Sequence, residues 1–172
     1  MPSRAAITYT TTALPLGSLL LAVTPKGICA VRFGHDKKKM EREFKTEFED
    51  AKRGPDDKHL RPWKQALMHY LAGRKPWPLL PYDVQATAFQ KRVWEWLRTI
   101  PSGATYHYSE AAKAMGHPAA TRAVARACAT NPVALVIPCH RIVPKAGGVG
   151  GYRWKPERKR QLLQLESGAR KR

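Results

Sequence analysis

The 172-residue sequence predicts an α/β protein with a small N-terminal antiparallel sheet lobe, residues 1–82, and a mainly helical C-terminal lobe, residues 83–172. Three observations predict this. Short apolar and β-branched runs with hairpin-type turns fill the first third of the chain, helical spacing dominates the second half, and three prolines and a glycine crowd residues 73–82 between them.

Ile7–Thr12, Leu19–Val23 and Ile28–Phe33 are the expected strands, joined through Leu16-Gly17-Ser18 and Pro25-Lys26-Gly27. A charged helix is expected from Asp36 to about Lys52, and a shorter one over Pro62–Leu71 after the break at Gly54-Pro55. In the second half, Thr87 and Gln90 form a capping-box pattern. Phe89, Val93, Trp94, Leu97 and Ile100 then recur at helical spacing until Pro101-Ser102-Gly103. Tyr108–Met115 reads as a short helix with Ser109 as N-cap, Gly116-His117-Pro118 as a turn, and Ala119–Thr130 as a second helix stopped at Asn131-Pro132. Two short helices around a glycine turn match a helix-turn-helix and match an ordinary helical hairpin equally well.

Charge narrows the partner class. The 31 Lys and Arg exceed 13 Asp and Glu to give +18, distributed as +6 over residues 1–84 and +12 over residues 85–172. Such an excess points to a polyanion, nucleic acid above all. The second helix is rich in alanine, and Arg122 and Arg126 are its only charges. That suits close, sequence-tolerant contact better than dense base readout. No apolar run is long enough to span a membrane, and the start of the chain lacks a signal-peptide core. Cys29, Cys128 and Cys139 form no CxxC pair or zinc-type cluster, so reduced thiols without a metal are expected.

Cys139 has the most distinctive setting, within VALVIPCHRIV. Only a thiolate attacks well, and a neighbouring imidazole and guanidinium, His140 and Arg141, are groups that lower a thiol pKa. Cys29 and Cys128, in an apolar strand and an alanine-rich helix, read as buried structural thiols.

Pro138-Cys139-His140-Arg141, with Asn131 upstream and Gly151-Tyr152-Arg153 downstream, resembles the O6-alkylguanine-DNA alkyltransferases, their Ada-type bacterial members in particular. The likeness is tight from about Thr87 to Glu166 and looser over residues 7–34. It implies an RNase H-like N-terminal lobe and stoichiometric transfer of an alkyl group, chiefly methyl, from guanine O6 in double-stranded DNA to the protein, without a cofactor. In that family pattern Cys139 is the acceptor, His140 takes its proton through a water, and Glu166 orients His140. Asn131 is a hinge. Tyr108 contacts guanine and the phosphate, and Arg122 fills the gap left by the flipped nucleotide, beside Ala123 and Arg126 on the DNA-binding helix. Ile142, Tyr152, Arg153, Trp154 and Cys128 are expected around the substrate pocket, with Trp154 bulky where some relatives carry glycine and Lys155 where Ada-type chains usually do. A monomer is expected, in the cytoplasm of a bacterium or archaeon or the nucleus of a eukaryote. No four-cysteine sensor segment is present in the sequence, so no transcriptional role by that route is expected. Two other classes fit parts of the pattern: a damage-binding protein with an inert thiol, and a helix-turn-helix regulator.

Overall fold

The structure, a computed structural model, describes residues 5–169; the first four residues of the start inspected for a signal core lie outside it. The chain divides into two compact units. Residues up to Gln85 together with Pro132–Val136 form one, and Ala86–Asn131 with the chain from Ile137 onward form the other.

The first unit is built on a four-stranded sheet in the order β3-β2-β1-β4. β1 (Thr8–Leu14), β2 (Gly17–Thr24) and β3 (Gly27–Gly34) form the antiparallel meander that the apolar runs predict. β2 is central and buried along nearly its whole length, which accounts for its continuous LLLAV run rather than an alternating pattern. Helix α1 (Lys37–Glu47) starts on the Asp36 side chain, which accepts from Lys39 N at 3.0 Å, and buries Met40 and Phe44 against Tyr9, Leu20, Ala22 and Ala30. It ends at Glu47, five residues before the expected Lys52. Phe48 folds back beside Phe44 with ring centroids 4.8 Å apart, and Lys45 Nζ donates to the Ala51 carbonyl at 2.8 Å. The chain thus leaves the helix early, and Lys52–Arg53 becomes β4, parallel to β1. Helix α2 (Leu60–Leu71) packs on β2 through a face that buries Leu60, Leu67 and Tyr70.

Two irregular segments extend this unit beside β3. Ile28 N donates to the Pro81 carbonyl at 3.0 Å, and Asp83 N donates to Ile28 O at 2.9 Å. A Cβ on Gly27 would lie 2.7 Å from Tyr82 backbone, so glycine is what permits this approach. From the other half of the sequence, Pro132 O accepts from Val31 N at 3.0 Å. Leu135, at φ 70°, has its carbonyl bound by the Trp77 indole N–H at 2.6 Å.

The second unit begins with α3 (Ala88–Arg98), whose Thr87/Gln90 capping box forms in both directions, at 2.9 and 3.1 Å. Its buried face, Val93, Trp94 and Leu97, follows the predicted spacing, and the Trp94 indole donates to Ala127 O at 2.9 Å. β5 (Tyr106–His107) pairs in parallel with β6 (Ile142–Val143). This pairing holds His107 extended, so α4 (Tyr108–Ala114) starts at Tyr108 with His107 as its N-cap, and the Glu110 carboxylate accepts from His107 N at 2.7 Å. Ser109, expected as the cap, lies inside the first turn. After a turn at Gly116, φ 75°, and one 3-10 turn over Pro118–Ala120, α5 (Thr121–Ala129) completes the helix pair. The last element, α6, runs over Pro156–Ala169. Among the described residues no helix is long and apolar enough to cross a membrane.

Candidate active site

Pro138 ends the apolar segment, and Cys139–Arg141 forms a single 3-10 turn, with Arg141 N donating to Pro138 O at 3.0 Å. The turn carries three consecutive buried side chains, of which Cys139 lines a cavity while His140 and Arg141 share another partner. Cys139, 7% exposed, faces a cavity of about 270 Å³ lined by Tyr108 of α4, Ala125, Cys128 and Ala129 of α5, and Gly151, Tyr152 and Arg153 of the loop before α6. Its Sγ accepts a hydrogen bond from Asn131 Nδ2 at 3.3 Å, and the same amide nitrogen donates to Ile137 O at 2.9 Å. Arg153 Nη1 donates to Asn131 O at 3.3 Å.

His140 and Arg141 both point to Glu166 of α6. His140 Nε2 and Glu166 Oε1 are 2.9 Å apart, while Arg141 donates through Nε to Oε2 at 3.0 Å and through Nη2 to Oε1 at 2.8 Å. Arg141 Nη1 also binds Ile100 O at 2.6 Å, and Gly103 N donates to Glu166 Oε2 at 3.2 Å. With Nε2–H donated to the carboxylate, the lone pair of His140 is left on Nδ1, which is buried and has no hydrogen-bond partner among the described residues. Burial opposes ionisation of Glu166, but hydrogen bonds and charges from His140 and Arg141 outweigh it and hold its carboxyl well below the usual range. Burial lowers the His140 pKa against the pull of Glu166.

Burial pushes the Cys139 thiol up. The Asn131 hydrogen bond, the Lys159 ammonium and the Arg153 guanidinium act in the opposite direction. The expectation that Arg141 would be a cation acting on the thiol is corrected, since its guanidinium is committed to Glu166 and Ile100. Burial also raises Tyr108 to about 12, with the two pocket thiols adding to the shift.

Of the other expected residues, Cys128, Tyr152 and Arg153 line the cavity. Trp154 lies outside the lining and carries Arg153 stacked on its ring, the guanidinium carbon 4.9 Å from the centroid. Ile142 is fully buried in β6, also outside the lining. Arg122, Ala123 and Arg126 are exposed on α5, on the face opposite buried Val124, Ala127 and Cys128. Lys155 adopts φ 81°, a left-handed conformation that favours glycine, which explains why glycine suits this position. The sequence reading missed Lys159, which is 1% exposed on α6. Its signal was available: Lys159, Leu162 and Glu166 share one helical face at spacings of three and four residues.

A cysteine thiol lining a cavity, followed in the chain by a histidine whose Nε2 a buried carboxylate holds, is an arrangement that can support nucleophilic chemistry at sulfur. Residues 88–168 match the DNA-binding domain of 6-O-methylguanine DNA methyltransferase, and residues 7–79 match its ribonuclease-like domain. The chain belongs to this family. It is 41% identical over 162 residues to the bifunctional transcriptional activator/DNA repair enzyme Ada of Escherichia coli K12. That match covers 94% of this chain but 46% of Ada, so the chain spans about half the length of that relative. It is 38% identical over 152 residues to the inducible methylated-DNA–protein-cysteine methyltransferase of Bacillus subtilis, covering 87% of this chain and 84% of the relative. Among solved structures, the Mycobacterium tuberculosis O6-methylguanine methyltransferase superposes with a TM-score of 0.79 at 32% identity, covering 95% and 94% of the two chains. The same protein in complex with DNA gives 0.80 at 33% identity, covering 94% of each.

Proposed function

We propose that this protein repairs alkylated double-stranded DNA by moving the alkyl group of O6-alkylguanine, chiefly methyl, onto Cys139, once per molecule. The observation that carries this reading is the Cys139–His140 turn itself. One residue presents sulfur to the cavity, and the next presents an imidazole whose Nε2 is tied to Glu166.

The thiol proton passes through a water to His140 Nδ1, and Glu166 stabilises the imidazolium that forms. The thiolate then attacks the alkyl carbon in line with the C–O6 bond. The S–C bond forms as the C–O6 bond breaks, and guanine leaves as an oxyanion that takes a proton, with the Tyr108 hydroxyl in the cavity wall as donor. The product is a thioether, so the molecule is spent. The reacting O6 lies inside the duplex, and the nucleotide must therefore be flipped out to reach a thiol this buried. α5 carries the DNA contact, with Arg122 entering the base stack and Ala123 and Arg126 beside it. Tyr152 and Arg153 border the guanine, with Ile142 and Cys139 offering backbone carbonyls to its amino group. The protein acts as a monomer where the chromosome lies, in the cytoplasm of a bacterium or archaeon or the nucleus of a eukaryote.

The test is intact mass after mixing with excess double-stranded DNA carrying O6-methylguanine. A gain of one methyl, mapped to Cys139 and lost in Cys139→Ser, is expected. Damage-selective binding without a mass change would instead make the protein a recognition module.

A further inference from the structure

Lys159 is the buried charge that the mechanism above leaves unused. Its side chain is 1% exposed, and its Nζ donates to the Gly151 carbonyl at 3.3 Å, on the wall of the cavity that holds Cys139. Among the described residues no carboxylate forms an ion pair with it. An ammonium with only a carbonyl for company is costly to bury unless an anion appears nearby. Seven residues on, and on the same face of α6, stands Glu166, about 10 Å further along the helix axis. Glu166 binds His140. The helix therefore sets a cation beside the thiol cavity and an anion behind the imidazole.

We propose that Lys159 is the counter-ion of the Cys139 thiolate, so that α6 brackets the Cys139–His140 pair and stabilises its thiolate–imidazolium state from both ends. This deepens the repair reading and rests on it for the biological role of the thiolate. Proton transfer from Cys139 to His140 creates a negative charge on the Lys159 side and a positive charge on the Glu166 side, with no change in net charge. Burial pushes the Lys159 ammonium down, and the charges of Cys139 and Cys128, when ionised, oppose that shift, as a thiolate partner would. The other titratable and charged groups around it are Cys128 on α5, Tyr108 on α4, His140 and Arg141 on the turn, Arg153 on the loop, and Arg158 and Glu166 on α6. Arg153 is exposed, Arg141 is neutralised by Glu166, and Arg158, also buried, donates to the Trp154 carbonyl, which leaves Lys159 as the buried cation that acts on the sulfur.

The experiment uses the full chain and no DNA. Alkylation of Cys139 by iodoacetamide is followed from pH 5 to 10 by peptide mapping, in wild type, Lys159→Gln and Lys159→Arg, with thermal unfolding as the check of fold. Gln retains a donor for the Gly151 carbonyl and removes only the charge. The expected result is an upward move of the Cys139 inflection by about one pH unit in Lys159→Gln, with alkylation at pH 7 slowed about tenfold, and near wild-type behaviour in Lys159→Arg. Lys159→Met removes the same charge and decides the question should Lys159→Gln unfold. An unchanged inflection in a folded neutral variant overturns the proposal, as does a shift in Lys159→Arg equal to that in Lys159→Gln. Because the probe is a free alkylating agent, such a failure is distinct from failure of the repair reading, which is read as no methyl gain from DNA by the wild-type protein.

Discussion

Asn131 Nδ2 spans two acceptors, the Ile137 carbonyl at 2.9 Å and Cys139 Sγ at 3.3 Å, and so ties the end of α5 to the Cys139–Arg141 turn through one amide. The two bonds do different work. One satisfies a buried carbonyl, and the other favours the charged form of the thiol, which burial opposes. Asn131→Ala removes both. The expected outcome is a loss of about 1–3 kcal/mol of stability, measured by urea unfolding, together with a Cys139 alkylation profile moved to higher pH. Retained stability with an unmoved profile would refute the double role.

Stability should fall in acid, and two buried groups of the site contribute to that fall in different ranges. The Glu166 carboxyl is held below its unfolded value, so its contribution is complete above about pH 4.3 and is lost as pH falls further. His140 is also shifted down, by burial, so the unfolded chain takes up that proton first, and stability already declines below about pH 6.5. Urea midpoints from pH 8 to 3 should show decline in both ranges. In Glu166→Gln the lower component should shrink to what the other depressed carboxylates, Asp36 and Asp57, leave, and the midpoint at pH 7 should drop by an amount equivalent to about 3–5 kcal/mol, because Arg141 is left buried without its anion.

Lys155→Gly relieves a left-handed backbone at φ 81°. The expected gain is at most about 1 kcal/mol, read as a raised unfolding midpoint, since glycine's greater unfolded freedom offsets part of the relief. A lowered midpoint would show that the Lys155 side chain stabilises the loop in another way.

The stack of Arg153 on Trp154 holds a cavity-lining side chain in place. Trp154→Gly releases it, and the rate on O6-benzylguanine in DNA should rise relative to that on O6-methylguanine. Equal effects on both substrates would remove Trp154 from any part in alkyl-size selection.

DNA affinity should fall steeply between 50 and 200 mM salt as neutralised phosphates release their counterions. Arg126→Ala, on the exposed face of α5, should weaken binding across sequences and reduce the salt slope by about one.

Much of this architecture is legible in the amino-acid sequence because local chemistry decides it. The Thr87/Gln90 box, the LLLAV strand and the glycine turns each impose their own geometry on a few neighbouring residues. What escaped was decided at a distance. Lys52–Arg53 is exposed and charged and becomes a strand only because β1 lies alongside. The cap of α4 is His107 rather than Ser109 because β6, more than thirty residues on, pairs with His107. The site divides in the same way. Cys139 and His140 announce themselves by adjacency, whereas Glu166 was reached only through family resemblance. Lys159 looks like one more solvated lysine until the helix is seen to bury it.

Glu166 receives His140, Arg141 and the Gly103 backbone N–H on two oxygens. The carboxylate proposed to serve the chemistry is therefore also a rivet joining the Cys139–Arg141 turn, α6 and the chain after α3. Loss of this one side chain would strip the proposed proton relay and the fold of the same support. A chain stripped of its thiol, as in Cys139→Ser, should still lean on this acid to stay folded.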